Sequence, residues 1–234
     1  MREEWCIPPK ANAAFVCQMV GQEPTTLENV LDVYQRAYDL KRSQICMDEM
    51  PKQLLAEKYN PLPRKPGQLE KQDYEYERQG NANIFMLFEP LAGKRFIETH
   101  PRRTSVDWAH VMKTLSDVYY PDADVIVLVM DNLHTHKLAS FYEAFEPEEA
   151  HRLSSRFEIH YTPKHGSWLN TAEIELSALV RQCLDRRIPD QEALDTEAQA
   201  WAKERNEKVV KVDWRFTTAQ ARIKLKHLYP KIQI

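Results

Sequence analysis

A chain of 234 residues can bury a sizeable core and suits one α/β domain, or one domain with long insertions. Its 43% hydrophobic and 29% charged residues exclude a disordered chain, and no stretch approaches the eighteen apolar residues of a membrane-spanning helix. The net charge of −3 counts against a nucleic-acid partner only as an average, because it conceals a basic C-terminal segment.

Pro8-Pro9 stops any early helix, and residues 11–20 suit a short one around Phe15, Val16 and Met19. Residues 24–35 read as linker or hairpin, since Val30, Leu31 and Val33 do not alternate cleanly. Gln44-Ile45-Cys46-Met47 is a short buried strand ending at Asp48. Pro51, Pro61, Pro63 and Pro66-Gly67 then mark a stiff, basic excursion over 51–72, helical at its start over 52–58. Residues 82–88 and 94–100 form an antiparallel hairpin, with Pro90 and Gly93 in its turn.

Thr104 or Ser105 caps a helix reaching about Tyr119, which Pro121 closes. Val125–Met130 is the clearest strand, a continuous apolar run rich in β-branched residues, and Asp131 follows it at once. Helices over 137–145 and 148–156 precede a strand at Phe157–Tyr161. After a loop from Pro163 to Leu169, a helix runs from about 171 to 186. Asp190 caps the next, through about Glu204, and Thr217 or Thr218 begins the last, which reaches Leu228. Strand–helix alternation with an attached antiparallel pair predicts a mixed sheet covered by helices. The expected organisation is an N-terminal lead-in over 1–43, a core over 44–188, and a basic helical extension over 189–234.

That extension holds the concealed charge. From Arg205 onward, eight Lys or Arg face Glu207 and Asp213, a balance of +6 that leaves −9 for the remainder. Such a patch binds phosphate whatever the total charge, although a solvated lysine-rich helix has the same composition. The four cysteines contain no CxxC pair and fit a reducing compartment. With no secretory n-region and h-region at the start, a cytoplasmic protein is expected.

Magnesium takes oxygen ligands and is usually held by one or two carboxylates plus waters and substrate phosphates. Asp48 and Asp131 each end a short apolar strand, so adjacent parallel strands would set the two carboxylates side by side. Their repulsion would raise one pKa, a cost that a bound cation removes. The plainer reading is that each Asp starts a turn. Glu173 lies in the first turn of the helix after the Pro163–Leu169 loop, where the helix N-terminus favours any carboxylate. Asn170 with Glu173 resembles a capping box, which gives Glu173 a purely structural alternative. Glu175 is its rival but faces elsewhere.

The run Asp131-Asn132-Leu133-His134-Thr135-His136 also carries two imidazoles, and Asp131, His134 and His136 together would suit zinc in a metal-dependent hydrolase. There is no Gly-rich phosphate loop and no Gly-x-Ser-x-Gly elbow, so nucleotide-dependent kinases and serine hydrolases of those types fit poorly.

Several blocks resemble the catalytic domain of bacterial insertion-sequence transposases related to the mariner group, the DDE superfamily endonucleases. They are Cys46-Met47-Asp48-Glu49, Tyr74-Glu75-Tyr76-Glu77-Arg78, Phe88-Glu89-Pro90-Leu91-Ala92-Gly93, Asp131 to His136, Tyr161 to Glu175, and Trp214 to Lys224. The resemblance spans nearly the whole chain. It implies a ribonuclease-H-like α/β fold and a metal-binding triad of Asp48, Asp131 and Glu173, holding two Mg²⁺ or Mn²⁺ ions. Spacings of 82 and 41 residues separate these acids, and the Glu143–Ser155 segment accounts for the length of the second.

The resemblance further implies hydrolysis of a phosphodiester at element ends, strand transfer into target DNA, and a homodimer joining two ends at the nucleoid. Asp48 would bridge the metals, with Asp131 and Glu173 completing one shell each. Asn132, His134, His165 and Trp168 would position phosphate or bases. Charge alone nominates Arg102, Arg103, Arg222, Lys224 and Lys226 for backbone contacts. Two departures stand out. Members usually carry a helix-turn-helix region before the catalytic part, and none precedes Met1, which leaves a non-catalytic DNA-binding remnant as a further alternative. Met50-Pro51 also follows Asp48-Glu49 where small polar residues are usual.

Overall fold

The computed structural model describes residues 24–59, 75–164 and 166–229. In chain order its helices and strands are α1 (Pro24–Tyr34), β1 (Gln44–Glu57), β2 (Tyr76–Glu89), β3 (Lys94–His100), α2 (Ser105–Thr114), β4 (Ile126–Met130), α3 (Ala139–Ala144), α4 (Pro147–Ser154), β5 (Phe157–Tyr161), α5 (Thr171–Leu179), α6 (Gln191–Glu207) and α7 (Thr218–Lys224). The strands form one sheet in the order β3-β2-β1-β4-β5. β1, β2 and β3 are antiparallel, whereas β4 runs parallel to both β1 and β5.

Strand alternation divides the interior in two. Ile45, Met47, Phe85, Leu87, Leu128 and Met130 point to the face covered by α2, α3 and α4. Cys46, Ile84, Met86, Phe88, Val127 and Val129 point to the face covered by α1, α5, α6 and α7. Burial on both faces explains why β4 is apolar at every position rather than at alternate ones.

Three sequence expectations change. Residues 24–34 are a helix, not a linker or hairpin, and bury Leu27, Val30, Leu31 and Tyr34 against the sheet. Their spacing of three and four is helical, which a search for alternation passes over. Residues 52–57 are strand rather than helix, so β1 continues well beyond Asp48. β4 pairs with β1 only over Gln44–Cys46, so Pro51 lies where β1 has β2 as its one strand neighbour, as a residue without an N–H requires. The helices begun at Ser105 and Thr171 finish as π-helical turns, Leu115–Tyr119 and Val180–Leu184. The expected helix over 11–20 lies outside the described residues, as does most of the proline-rich excursion.

Caps fall where the sequence places them. Thr104 and Asp107 form a reciprocal capping box at α2, Asp190 accepts from Ala193 N at α6, and Thr217 pairs with Gln220 at α7. No helix among the described residues is long and apolar enough to cross a membrane.

Gly93, in the β2–β3 turn, has φ of +68°, and a Cβ there would stand 2.9 Å from the Val210 carbonyl oxygen. Gly93→Ala is therefore expected to destabilise the fold by about 1–3 kcal/mol, measurable as a lowered urea midpoint at unchanged slope.

Candidate active site

The parallel register builds the site. Gln44, Ile45 and Cys46 pair with Val127, Leu128 and Val129, and two further residues along each strand bring Asp48 beside Asp131. Both positions have the parity of Cys46 and Val129, the face on which α5 packs. β4 ends at Met130 while β1 runs on, so Asp131 stands at the open end of the sheet and Asp48 on the continuing wall.

Asn170 docks α5 onto that wall. Its Nδ2 donates to the Met47 carbonyl at 2.8 Å, and its Oδ1 accepts from Ala172 N at 3.2 Å. One amide thus caps the helix and ties its start to the residue before Asp48. Tyr34 reinforces this by donating to the Leu169 carbonyl at 2.5 Å. Asn170 caps α5 without the reciprocal bond from Glu173 that a capping box requires. The Glu173 carboxylate is exposed and makes no hydrogen bond among the described residues.

Glu175 points the other way. It is 1% exposed and accepts from Arg95 Nε at 2.7 Å and from Arg205 Nη2 at 3.0 Å. This buried ion triad ties α5 to β3 and α6.

The three predicted acids sense one another. Burial lifts the Asp48 pKa from the usual 3.8 to about 7; the Glu49 N–H works against the rise, and the charges of Asp131, Glu173 and Glu49 add to it. Among the described residues, no three His, Cys, Asp or Glu side chains close into a preformed metal cage. A hard cation that keeps its waters needs only one or two carboxylates before substrate phosphate arrives, so this open carboxylate set fits Mg²⁺ or Mn²⁺.

His136 is not placed to ligate zinc. Its Nδ1 lies 2.7 Å from Asp131 Oδ1 and its Nε2 lies 2.7 Å from Glu49 Oε2, so both ring nitrogens are occupied. Burial disfavours its charge, but the bonds to the two carboxylates outweigh that and raise its pKa to about 9. His134 is exposed, with Nδ1 3.4 Å from Lys137 Nζ. Glu49 was legible only as the neighbour of Asp48, and its place in this chain of contacts was not.

The residues nominated for DNA are dispersed. Asn132 is exposed beside Asp131, and Arg102 is exposed ahead of α2. Arg103 lies 3.3 Å from Glu49. Trp168 packs against Trp214 and Phe216, with ring centroids 6.2 and 6.1 Å apart. Arg222 forms a two-pronged ion pair with Glu28 that ties α7 to α1. Lys224 lies over the Phe216 ring at 5.6 Å, and Lys226 is exposed. His165 lies outside the described residues.

Residues 43–195 match the family model of the DDE superfamily endonuclease. The chain belongs to that family. The matched span runs from the start of β1 through both aspartates and Glu173 into α6. No curated protein matches the chain. Among solved structures, this DDE-family chain resembles the Mos1 mariner paired-end complex with Mn, with a TM-score of 0.53 and 13% identity over 97% of this chain and 65% of that one. The Mos1 transposase paired-end complex with left transposon end gives 0.55 and 14%, over 90% and 62%. The pre-cleavage Mos1 transpososome gives 0.52 and 15%, over 92% and 67%. The chain thus spans about two thirds of the Mos1 chains, and the helix-flanked mixed sheet is the ribonuclease-H-like fold.

Proposed function

We propose that this chain is the catalytic domain of a DNA transposase, of the bacterial insertion-sequence type its motifs resemble, with Asp48, Asp131 and Glu173 as its metal-binding acids. The observation that carries the reading is the β1–β4 register, which sets Asp48 and Asp131 side by side beneath the helix bearing Glu173, in a chain of the DDE endonuclease family. The likeness to the Mos1 paired-end complexes supports transposon-end DNA as a partner, and joining two such ends to target DNA is work that would suit a homodimer. Such a protein works at the nucleoid.

Two Mg²⁺ or Mn²⁺ ions held by these acids would neutralise charge on the phosphate oxygens. The chain's own residues prepare the place. β1 and β4 fix the two aspartates on rigid backbone, Asn170 holds α5 against β1, and the exposed Glu173 makes no hydrogen bond among the described residues. In the first reaction a water oxygen bonds to phosphorus and the bond to the 3′ oxygen breaks. In the second the freed 3′-hydroxyl oxygen bonds to a target phosphorus as the bond from that phosphorus to the target's own 3′ oxygen breaks, the proton lost by the attacking hydroxyl being matched by the one the leaving 3′ oxygen gains. Neither step requires a covalent bond between protein and DNA.

The test is nicking of a duplex carrying the element ends, with Mg²⁺ or Mn²⁺ present or chelated. Cleavage is expected with metal and absent with chelator, and Glu173→Gln is expected to abolish it. Full metal-dependent nicking by Glu173→Gln, in a preparation cleared of contaminating nucleases, would remove Glu173 from the site. A wild-type chain that binds DNA but neither binds metal nor nicks would favour a non-catalytic DNA-binding remnant.

A further inference from the structure

We propose that Glu49 and His136 act as a positioning pair for Asp131, holding one oxygen of that carboxylate so that the other is presented to the cation. The inference rests on the reading of Asp131 as a metal-binding acid and adds two residues to that reading.

The geometry begins at a dipeptide. Asp48 and Glu49 are consecutive on β1, so their side chains leave opposite faces of the sheet. Asp48 faces α5. Glu49 faces α2, where its carboxylate is 4% exposed and receives Arg103 Nη1 at 3.3 Å on Oε1. Its other oxygen, Oε2, meets His136 Nε2 at 2.7 Å, and the opposite ring nitrogen meets Asp131 Oδ1 at 2.7 Å. A line of contacts therefore runs from Arg103 through Glu49 and His136 to Asp131, over the end of β4. Both contacts are within hydrogen-bond distance, so the ring spans the gap between the two carboxylates.

The ring is itself fixed. His136 is 1% exposed and lies along Trp108, with centroids 5.9 Å apart and planes 28° from parallel. Its backbone carbonyl accepts from Tyr161 Oη at 2.9 Å. Its N–H donates to the Leu133 carbonyl, closing the turn that folds it back on Asp131. Asp131, by contrast, is 37% exposed at the sheet's open end. A carboxylate there would rotate freely without a second anchor, and the Nδ1 contact removes that freedom. Partners of this kind behind a ligand set its direction and its affinity for metal.

The experiment titrates Mn²⁺ alone into the full chain by electron paramagnetic resonance, and follows nicking against Mn²⁺ concentration. Glu49→Ala and His136→Asn are expected to weaken Mn²⁺ binding by about 10–100-fold. They should raise the Mn²⁺ needed for half-maximal nicking more than they lower the rate at saturation. Glu49→Gln keeps an acceptor for Nε2 and should recover much of the affinity, which a role in bulk stability would not predict. Unchanged Mn²⁺ affinity in Glu49→Ala, with a native circular dichroism spectrum, overturns the inference. If Glu49→Ala does not fold, unchanged affinity in His136→Asn does the same. Asp131→Asn separates the two ideas: if it too binds Mn²⁺ like wild type, the assignment of Asp131 as a ligand falls instead.

Discussion

Glu175→Ala is expected to cost about 3–5 kcal/mol of folding stability, the loss typical of removing one partner from a buried ion pair. The Glu175 carboxylate is enclosed and answers two guanidinium groups, Arg95 and Arg205, whose side chains are 0% and 10% exposed. The remaining donors of Arg95 go to the Gly93 and Val210 carbonyls and to Asn206 Oδ1, and its guanidinium lies 4.7 Å from the Phe88 ring centroid. Burial already depresses the Arg95 pKa, Glu175 opposes that, and the neighbouring charge of Arg205 adds to the depression. Without Glu175, two like charges face each other away from water. Urea unfolding should show a midpoint lower by roughly 1–2 M. Glu175→Gln, which keeps an acceptor, should lose less. Disrupting the exposed Arg152 network with Glu149 and Asp117 should cost about 1 kcal/mol or less, because solvent screens it. A Glu175→Ala protein within 1 kcal/mol of wild type would show that the triad contributes little to stability.

The same triad bears on the site. α5 is held at its start by Asn170 and Tyr34 and along its length by Glu175, so the helix that carries Glu173 is fixed from opposite sides. Glu173 and Glu175 are two residues apart, and helical geometry alone sends one to solvent near Asp48 and the other into the core.

How much of this was legible depended on the range of the physics involved. β4 was readable because burial on both faces leaves an unbroken apolar run. The β2–β3 hairpin was readable from Pro90 and Gly93, and the caps at Thr104, Asp190 and Thr217 from their side chains. These signals are local. Helix α1 was missed because its buried stripe, Leu27, Val30, Leu31 and Tyr34, emerges only against a sheet the sequence does not display. The extension of β1 past Asp48 was missed because Pro51 suggests a break, while β2 supplies its pairing from about 30 residues away. The meeting of Asp48 and Asp131 was inferred on the condition of adjacent parallel strands, and the register supplies that condition. The contact between His136 and Glu49, which completes the bridge to Asp131, joins residues 87 apart in sequence, and their separate local patterns do not announce it. The basic tail shows the opposite failure. Its charge count was correct, yet Arg205 lies in the core and Arg222 is engaged with Glu28, so composition overstated what remains for phosphate.

Asp48→Asn is expected to reduce metal-dependent nicking by about three orders of magnitude while leaving the metal-free fold more stable at neutral pH. The first effect follows if Asp48 supplies several kcal/mol of charge stabilisation through bound cations, since about 4 kcal/mol corresponds to a thousandfold. The second follows from its surroundings. The folded chain holds the Asp48 proton up to about pH 7, mainly because burial disfavours the anion, whereas the unfolded chain releases it near 3.8. Between those values the native state binds more protons, so this residue's contribution to stability falls as pH rises from about 4 to about 7, then stays level. Asparagine has no charge to bury and can still accept the hydrogen bond that Glu49 N gives Asp48 Oδ1 at 2.8 Å. The variant and wild type should therefore melt together near pH 4 and separate in favour of the variant by pH 8, without metal. Adding Mn²⁺ should reverse the order at pH 8, because only the wild type offers it the carboxylate, and should do less at pH 5, where a proton competes for that oxygen. Thermal melts at the two pH values, each with and without Mn²⁺, read every term. A wild type more stable than Asp48→Asn at pH 8 without metal would contradict the raised Asp48 pKa. Equal gains from Mn²⁺ in both proteins would remove Asp48 from the metal site.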